Sequence, residues 1–365
     1  METKLKPARA TPPGHILRRE LEARGWSQRD LASILGRPVQ AIAEIACGAK
    51  QITPETAVAL GAAFGTSAEF WTNLESNYRL ALTQQGNTSS DEVARKARLY
   101  GLVPVRELIK RGWIKASKNI EELERSVCEF FGISHIDEEP KLIVNLRHSV
   151  RDGSQAASQR AWVRRVEVLA QARQIGPFDA KKLEGAIGSL RSLALLEKGV
   201  ARVPGVLEGL GVRFVVVPHL THTKLDGAAA FVRGGATVAL TMRYDRIDYF
   251  WFTLFHELAH LVLEHRGGYL DEAHDDEEID DEERAANERA GSWLVSDAAL
   301  RNFLQRCGGR PSRVAIEEFA AERALHAGIV VGRLHGLKLV PYSYFRPLLV
   351  KVRDQLSPWM VDESE

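Results

Sequence analysis

Phe252-Thr253-Leu254-Phe255-His256-Glu257-Leu258-Ala259-His260 is the stretch on which the reading of this chain turns. Trp251, Leu254, Phe255, Leu258, Leu261 and Val262 recur at helical spacing, so the segment predicts a helix over Tyr249–Glu264 lying in a core. Two histidines four apart fall on one face, one turn from each other, and both imidazoles can reach one zinc ion. Glu257 is offset around the helix from that pair. It is suited to take a proton from an attacking water rather than to bind metal. His256 and His260 are thus candidate metal ligands, and Glu257 is the candidate catalytic base.

A catalytic zinc takes a third protein ligand and keeps one position open. A histidine ten positions after the first is excluded, because Arg266 stands there and Leu263 occupies the glycine place of that pattern. His265, one residue out of register, reads as a surface residue at the helix end. The next predicted helix offers a carboxylate instead. Glu283-Arg284-Ala285-Ala286-Asn287 puts Glu283 and Asn287 on one face, beside Ala286 and Ala290, which are small enough to let two helices lie close. Asn287 can orient a ligand histidine through its second ring nitrogen. Glu282 is the rival ligand, and the plain alternative for Glu283 is the end of a solvated run, since ten of residues 271–283 are Asp or Glu. His219 and His222, in a loop after a predicted strand, are not expected to be ligands.

Working outward, the residues before the helix have the pattern of strands. Val212–Val217 is rich in β-branched side chains, and Ala228–Arg233 and Ala236–Thr241 flank Gly234-Gly235, a two-residue hairpin signal. Helices return at Glu282–Leu294 and Ile316–Leu325, so residues 201–345 are expected to form an α+β domain with a small sheet. Residues 92–200 read as a helical middle region, clearest at Glu121–Phe131 and Ser158–Gln171. Its arginines (147, 151, 160, 164, 165 and 173) read as a solvated face rather than a nucleic-acid surface, because acidic and apolar residues interrupt the run. Gln84–Asp91 is polar and is read within a linker. Residues 12–82 read as five short helices, with Ser27 and Thr53 as N-caps and a helix starting at Pro38. Leu31, Ile34, Leu35, Ile42 and Ile45 are expected to share a core there.

Three motifs in order carry a resemblance to a known family. They are Phe252–His260, Glu283–Asn287 and Gly328-Ile329-Val330-Val331-Gly332-Arg333-Leu334, and together they resemble the ImmA/IrrE metallo-endopeptidases over about residues 200–340. The resemblance implies a gluzincin-like zinc site, with one zinc per chain, and a substrate that is itself a helix-turn-helix repressor. Ala259 departs from the glycine that often precedes the second histidine, and a long acidic insert precedes Glu283. His326, just before the last motif, is either a donor to the oxyanion of the tetrahedral intermediate or a structural histidine.

Near the other end, Gln28–Gly36 followed by Pro38–Ala46 has helix-turn-helix spacing. With Ile52–Ala57 and Phe64–Trp71, residues 12–82 resemble the DNA-binding domains of HigA-type antitoxins. Arg37 and Gln40 stand where a recognition helix reads bases, and Arg29 and Lys50 where phosphates are met. Ten basic against eight acidic residues in 1–82 is a weak electrostatic footprint. The domain therefore reads as DNA-binding, with dimerisation or docking of a related repressor as the alternative.

Composition sets the frame for these motifs. The chain has 365 residues, 45% hydrophobic and 27% charged, with a net charge of +1. That balance gives no global pull toward nucleic acid, so DNA contacts must be local. Cys47, Cys128 and Cys307 are too few and scattered for a disulfide framework, which fits a reducing cytoplasm. No stretch approaches the length of a membrane span. The expectation is a mainly α, multidomain cytoplasmic protein: a DNA-binding regulatory zinc endopeptidase that cleaves a repressor or antitoxin, with a homodimer allowed. The competing expectation is a non-enzymatic antitoxin-type repressor whose C-terminal domain binds zinc or a partner.

Overall fold

The computed structural model describes residues 11–86, 89–143, 153–196, 198–221, 223–265, 269–272 and 281–360. The chain divides into two compact units, Met1–Arg95 and Lys96–Glu365.

The first unit holds α1 (Pro13–Arg24), α2 (Gln28–Leu35), α3 (Val39–Cys47), α4 (Pro54–Phe64) and α5 (Ala68–Gly86). Ser27 and Asp30 close a capping box at the start of α2, and the Thr53 hydroxyl accepts from Thr56 N–H at the start of α4. Each satisfies an amide that the first helical turn leaves open. Leu17, Leu31, Ile42, Leu60 and Trp71 are wholly buried and form the core. Gly14 allows α1 to meet α3, since a Cβ there would collide with the backbone of Ala46. Two expectations need correction. Ile34 is 51% exposed, because α2 turns Leu31, Ala32 and Leu35 inward and Ile34 to the other side. Pro38 is the N-cap of α3 rather than its first residue.

α6 (Ser89–Leu102) follows, so Gln84–Asp91 is occupied, where described, by the end of α5 and the start of α6. The second unit continues with α7 (Val105–Lys110), α8 (Ile120–Phe131), α9 (Gly153–Gln171), α10 (Ala180–Ser192) and α11 (Val203–Gly209). Strands β1 (Val212–Val216), β2 (Leu225–Val232) and β3 (Gly235–Leu240) lead into α12 (Ile247–Val262). After β4 (Tyr269–Glu272) come α13 (Asp281–Leu294), α14 (Asp297–Arg306), α15 (Arg313–Glu322) and α16 (Ala327–Gly336). The sheet order is β1-β3-β2-β4, with β1 parallel to β3 and the other pairs antiparallel.

Strand alternation feeds two cores. Phe214, Val216, Ala229, Val238 and Leu240 face α12 and the C-terminal helices. Val215, Val217, Ala228, Ala230 and Ala239 face the helices before the sheet, where Trp162 donates its indole N–H to Val217 O at 2.8 Å. The arginines of that region serve this packing. Arg164 donates to Phe130 O at 2.7 Å, Arg173 to Phe214 O at 3.1 Å, and Arg165 covers the Trp113 ring. Arg147 and Arg151 lie outside the described residues.

The hairpin turn is Arg233-Gly234 rather than Gly234-Gly235. Val232 pairs with Gly235, and the two turn residues have φ of 47° and 77°. Positive φ at both positions is what a tight hairpin requires. Between Leu225 and Gly227 the register of β2 against β4 shifts. That irregularity bears on the site.

Candidate metal centre

α12 is largely apolar, and its residues from Ile247 to Leu261 are buried except Tyr249 and Phe252, which are half-buried, as expected of a core helix. Within the helix, Trp251 stacks on Phe255 at 5.9 Å. His256, Glu257 and His260 are 1%, 0% and 1% exposed. α13 lies against α12 through Ala286 and Ala290, both wholly buried. Residues without long side chains let the two helices approach, and this brings in Glu283 from the first turn of α13.

The three side chains converge. His256 Nε2 and His260 Nε2 are 3.0 Å apart, and the Glu283 carboxylate lies 3.1 Å from the first and 3.4 Å from the second. Ligands at about 2.0–2.1 Å in a tetrahedron around zinc stand about 3.3 Å from one another. One nitrogen from each histidine and one carboxylate oxygen fit that spacing, with all ligand atoms within 4.8 Å. Glu282, the rival, is exposed.

The electrostatics suit a cation. Burial pushes the His260 imidazole toward its neutral form, against the opposing effect of Glu283. Burial works against a charged Glu283 as well. Hydrogen bonds from His256 and His260 outweigh it and hold the carboxyl far below the usual carboxylate range. Two neutral imidazoles and one carboxylate are the donor set a divalent zinc takes.

Around this set the structure adds two residues that the sequence did not point to. His265 is half-buried rather than a surface residue, and its Nδ1 lies 3.0 Å from His260 Nδ1. The chain turns back after α12, with His265 N–H donating to His260 O at 3.1 Å, and this brings the ring beside its neighbour. Asn287 is half-buried on α13 and makes no side-chain hydrogen bond to either histidine among the described residues. Gly227 is the second. A Cβ built on it would stand 2.5 Å from Glu257 Oε1 and 3.0 Å from Thr253 Cγ2. The absence of a side chain on β2 is what gives the Glu257 carboxylate its place. Beside it, at the register shift, Asp226 is 7% exposed and lies 3.6 Å from Arg243. β-bulges commonly re-aim a side chain next to an active site in this way.

His326 is elsewhere in its bonding. It is the N-cap of α16, where its Nδ1 accepts the Gly328 N–H at 3.0 Å, and burial pushes its imidazole toward the neutral form. His219 is exposed, and His222 lies outside the described residues.

In the first unit, Arg29, Gln40 and Lys50 are exposed. Gln40 donates to Glu44 Oε1 at 3.1 Å along α3. Arg37 is tied down, donating to Thr56 Oγ1 at 2.8 Å, so it braces α3 against α4. Among the described residues no helix is long and apolar enough to cross a membrane.

Comparison with known proteins divides along the same lines. Several solved structures resemble part of the chain, three of which follow. An addiction module antidote protein of a HigA family from Coxiella burnetii is 37% identical, covering 21% of this chain and 86% of that one, with a TM-score of 0.21. The Pseudomonas aeruginosa antitoxin HigA with the higBA promoter is 36% identical, covering 22% of this chain and 90% of that one, with a TM-score of 0.22. PA4674 from Pseudomonas aeruginosa in complex with its operator DNA is 35% identical, covering 24% and 96%, with a TM-score of 0.23. Curated proteins give no match. Residues 17–71 match the helix-turn-helix family, and residues 244–311 match the IrrE N-terminal-like domain of a peptidase family. The chain therefore joins a helix-turn-helix domain to an IrrE N-terminal-like, ImmA/IrrE-type peptidase domain.

Proposed function

We propose that this chain is a cytoplasmic, DNA-binding regulatory zinc endopeptidase that cleaves a helix-turn-helix repressor or antitoxin and so relieves transcriptional repression. The observation that carries the reading is Glu257. It is a wholly buried carboxylate beside a buried His-His-Glu set, with a glycine kept clear for it on the facing strand. A purely structural metal site has no use for such a base.

In this reading His256, His260 and Glu283 would hold the zinc, which would supply Lewis-acid polarisation of the scissile carbonyl and of the attacking water. Glu257 accepts the proton of that water and delivers it to the departing amine. His265 steadies the His260 ring, so that Nε2 rather than Nδ1 faces the site. The helix-turn-helix match at residues 17–71 supports DNA binding. Gln40 is the base reader in this proposal, while Arg29 and Lys50 meet phosphates and Arg37 acts by holding α3.

The test is co-expression with a neighbouring or paralogous helix-turn-helix repressor, scored for a discrete fragment. Glu257→Gln keeps the size of the side chain but cannot take the proton. It should retain zinc and fold while losing hydrolysis by about a hundred- to ten-thousand-fold. Equal cleavage by wild type and Glu257→Gln would refute the mechanism.

A further inference from the structure

The helices that precede the sheet enclose a cavity of about 270 Å³, and no residue of the candidate metal centre lines it. It lies between α6, α8, α9 and the stretch that follows α8. Leu102, Val103, Val127, Phe131, Ile133 and Ile136 supply apolar walls, of which Val103, Val127 and Phe131 are buried and form the deep part. The volume is a little under the roughly 300–1,000 Å³ of pockets for drug-sized ligands, so it suits a molecule of amino-acid size.

The charged residues of the lining differ in how they are matched. Arg98 on α6 and Asp137 after α8 form an ion pair, both half-exposed, and so neutralise each other. Arg160, from α9, is half-buried. Its one polar contact among the described residues is a long hydrogen bond to Leu102 O, 3.4 Å, and no carboxylate pairs with it there. A guanidinium carries five N–H donors in a fixed fork, so most of those on Arg160 remain for a ligand. Glu138 and Glu139 also line the cavity, but both are exposed, and Glu138 accepts the Ser134 N–H at 2.8 Å. Water and salt screen exposed carboxylates more than they screen a half-buried guanidinium, so Arg160 sets the sign of the ligand's head.

We propose that this cavity binds a small carboxylic acid with a branched or aromatic apolar body, its carboxylate held by Arg160. The shared chemistry is the acid and the apolar body. An amino acid would place its ammonium toward Glu138 and Glu139, and a simple acid would leave them in water. The site does not depend on the peptidase reading.

The test is a binding series on the full chain, followed by ligand NMR. The probes are 4-methylpentanoate, leucine, acetate, 4-methylpentanol and 4-methylpentylamine. The two branched acids should bind about ten- to a hundredfold more tightly than the alcohol and the amine, the difference a charge-assisted contact makes. Acetate should fall away by about fourfold for each methylene-sized group it lacks. Leucine tighter than 4-methylpentanoate assigns an amino acid, and the reverse order assigns a simple acid. Arg160→Gln should bring the acids down to the level of the alcohol, whereas Arg160→Lys should keep part of the preference. Ile136→Trp should block both acids, with Leu102→Trp in its place if that variant does not fold, and thermal melting checks each protein. An amine or alcohol that binds as well as the acids, no binding by any probe at millimolar concentration, or acid binding unchanged in folded Arg160→Gln would overturn the proposal.

Discussion

Gly227→Ala is the smallest change that tests how the base is held. The added methyl would stand 2.5 Å from Glu257 Oε1, 3.0 Å from Thr253 Cγ2 and 3.1 Å from Ala239 O. Real Cβ atoms essentially never come within 3.0 Å of such a neighbour, so the carboxylate must retreat by at least about half an ångström. It has little room to do so, because Glu257 is wholly buried. A displacement approaching 1 Å in a reacting group costs about a hundredfold in rate. Overpacking of this kind costs about 1–3 kcal/mol of stability, which leaves a folded protein with a lowered melting temperature. The expected result is therefore about a hundredfold loss of kcat/KM on the fragment-yielding substrate, with zinc content unchanged, because Gly227 touches none of the three ligands. Gly227→Ala should add little to Glu257→Gln, since both act on one group. A Gly227→Ala protein that cleaves at the wild-type rate would show that Glu257 is not positioned by this contact, and the mechanism built on it would fall.

Other outcomes follow from the same geometry. His256→Ala and His260→Ala should each lose most bound zinc, Glu283→Ala should weaken it, and exposed Glu282→Ala should not, all read by metal analysis after dialysis. His265→Ala should lower zinc affinity about ten- to a hundredfold without abolishing it, as measured by chelator competition. His326→Ala should cost about 0.5–2 kcal/mol, the loss of a helix cap, in denaturant unfolding. Because burial depresses the folded pKa of His326 below 6.5, the unfolded chain takes up the proton first. The cap's stabilisation is then complete above pH 6.5 and declines below it, and unfolding of His326→Ala should depend less on pH across that window. For DNA, the protein should bind its own promoter region with affinity that falls as salt rises, measured by fluorescence anisotropy. Gln40→Ala should relax sequence preference, while Arg29→Ala and Lys50→Ala should weaken binding to all sequences alike.

What could be read in advance follows the range of the interactions. His256, Glu257 and His260 sit on one helix, and a spacing of four is a local property that the order of residues carries by itself. Ser27 and Thr53 were legible as caps for the same reason, since a cap is settled within three residues. Glu283 lies on a different helix. It could be named only through the resemblance and the small residues beside it, and Glu282 remained a rival until burial distinguished them. Ile34 was misplaced because the inward face of α2 is chosen by α3 and α4, not by the spacing within α2. The register shift that puts Asp226 beside Gly227 depends on how β2 pairs with β4, and the approach of His265 to His260 depends on the turn after α12. Neither contact leaves a periodic trace in the sequence. The hairpin turn slipped by one residue because Arg233 has no side-chain preference for positive φ, while two adjacent glycines advertise it.

The sheet between two cores has a practical consequence. Its first three strands lie upstream of residues 244–311, which match the peptidase family, and among the described residues one of its faces is covered by helices that precede it in the chain. A fragment cut to begin at residue 201 would bare Val215, Val217, Leu225, Ala228 and Ala230 to water along a flat, apolar face. Such a face pairs readily with a copy of itself, and the fragment should precipitate on expression. A fragment beginning near Lys96 keeps both layers and should remain soluble. The minimum unit that can be handled in isolation is thus set by what shields the back of the strands, well upstream of the residues that do the chemistry.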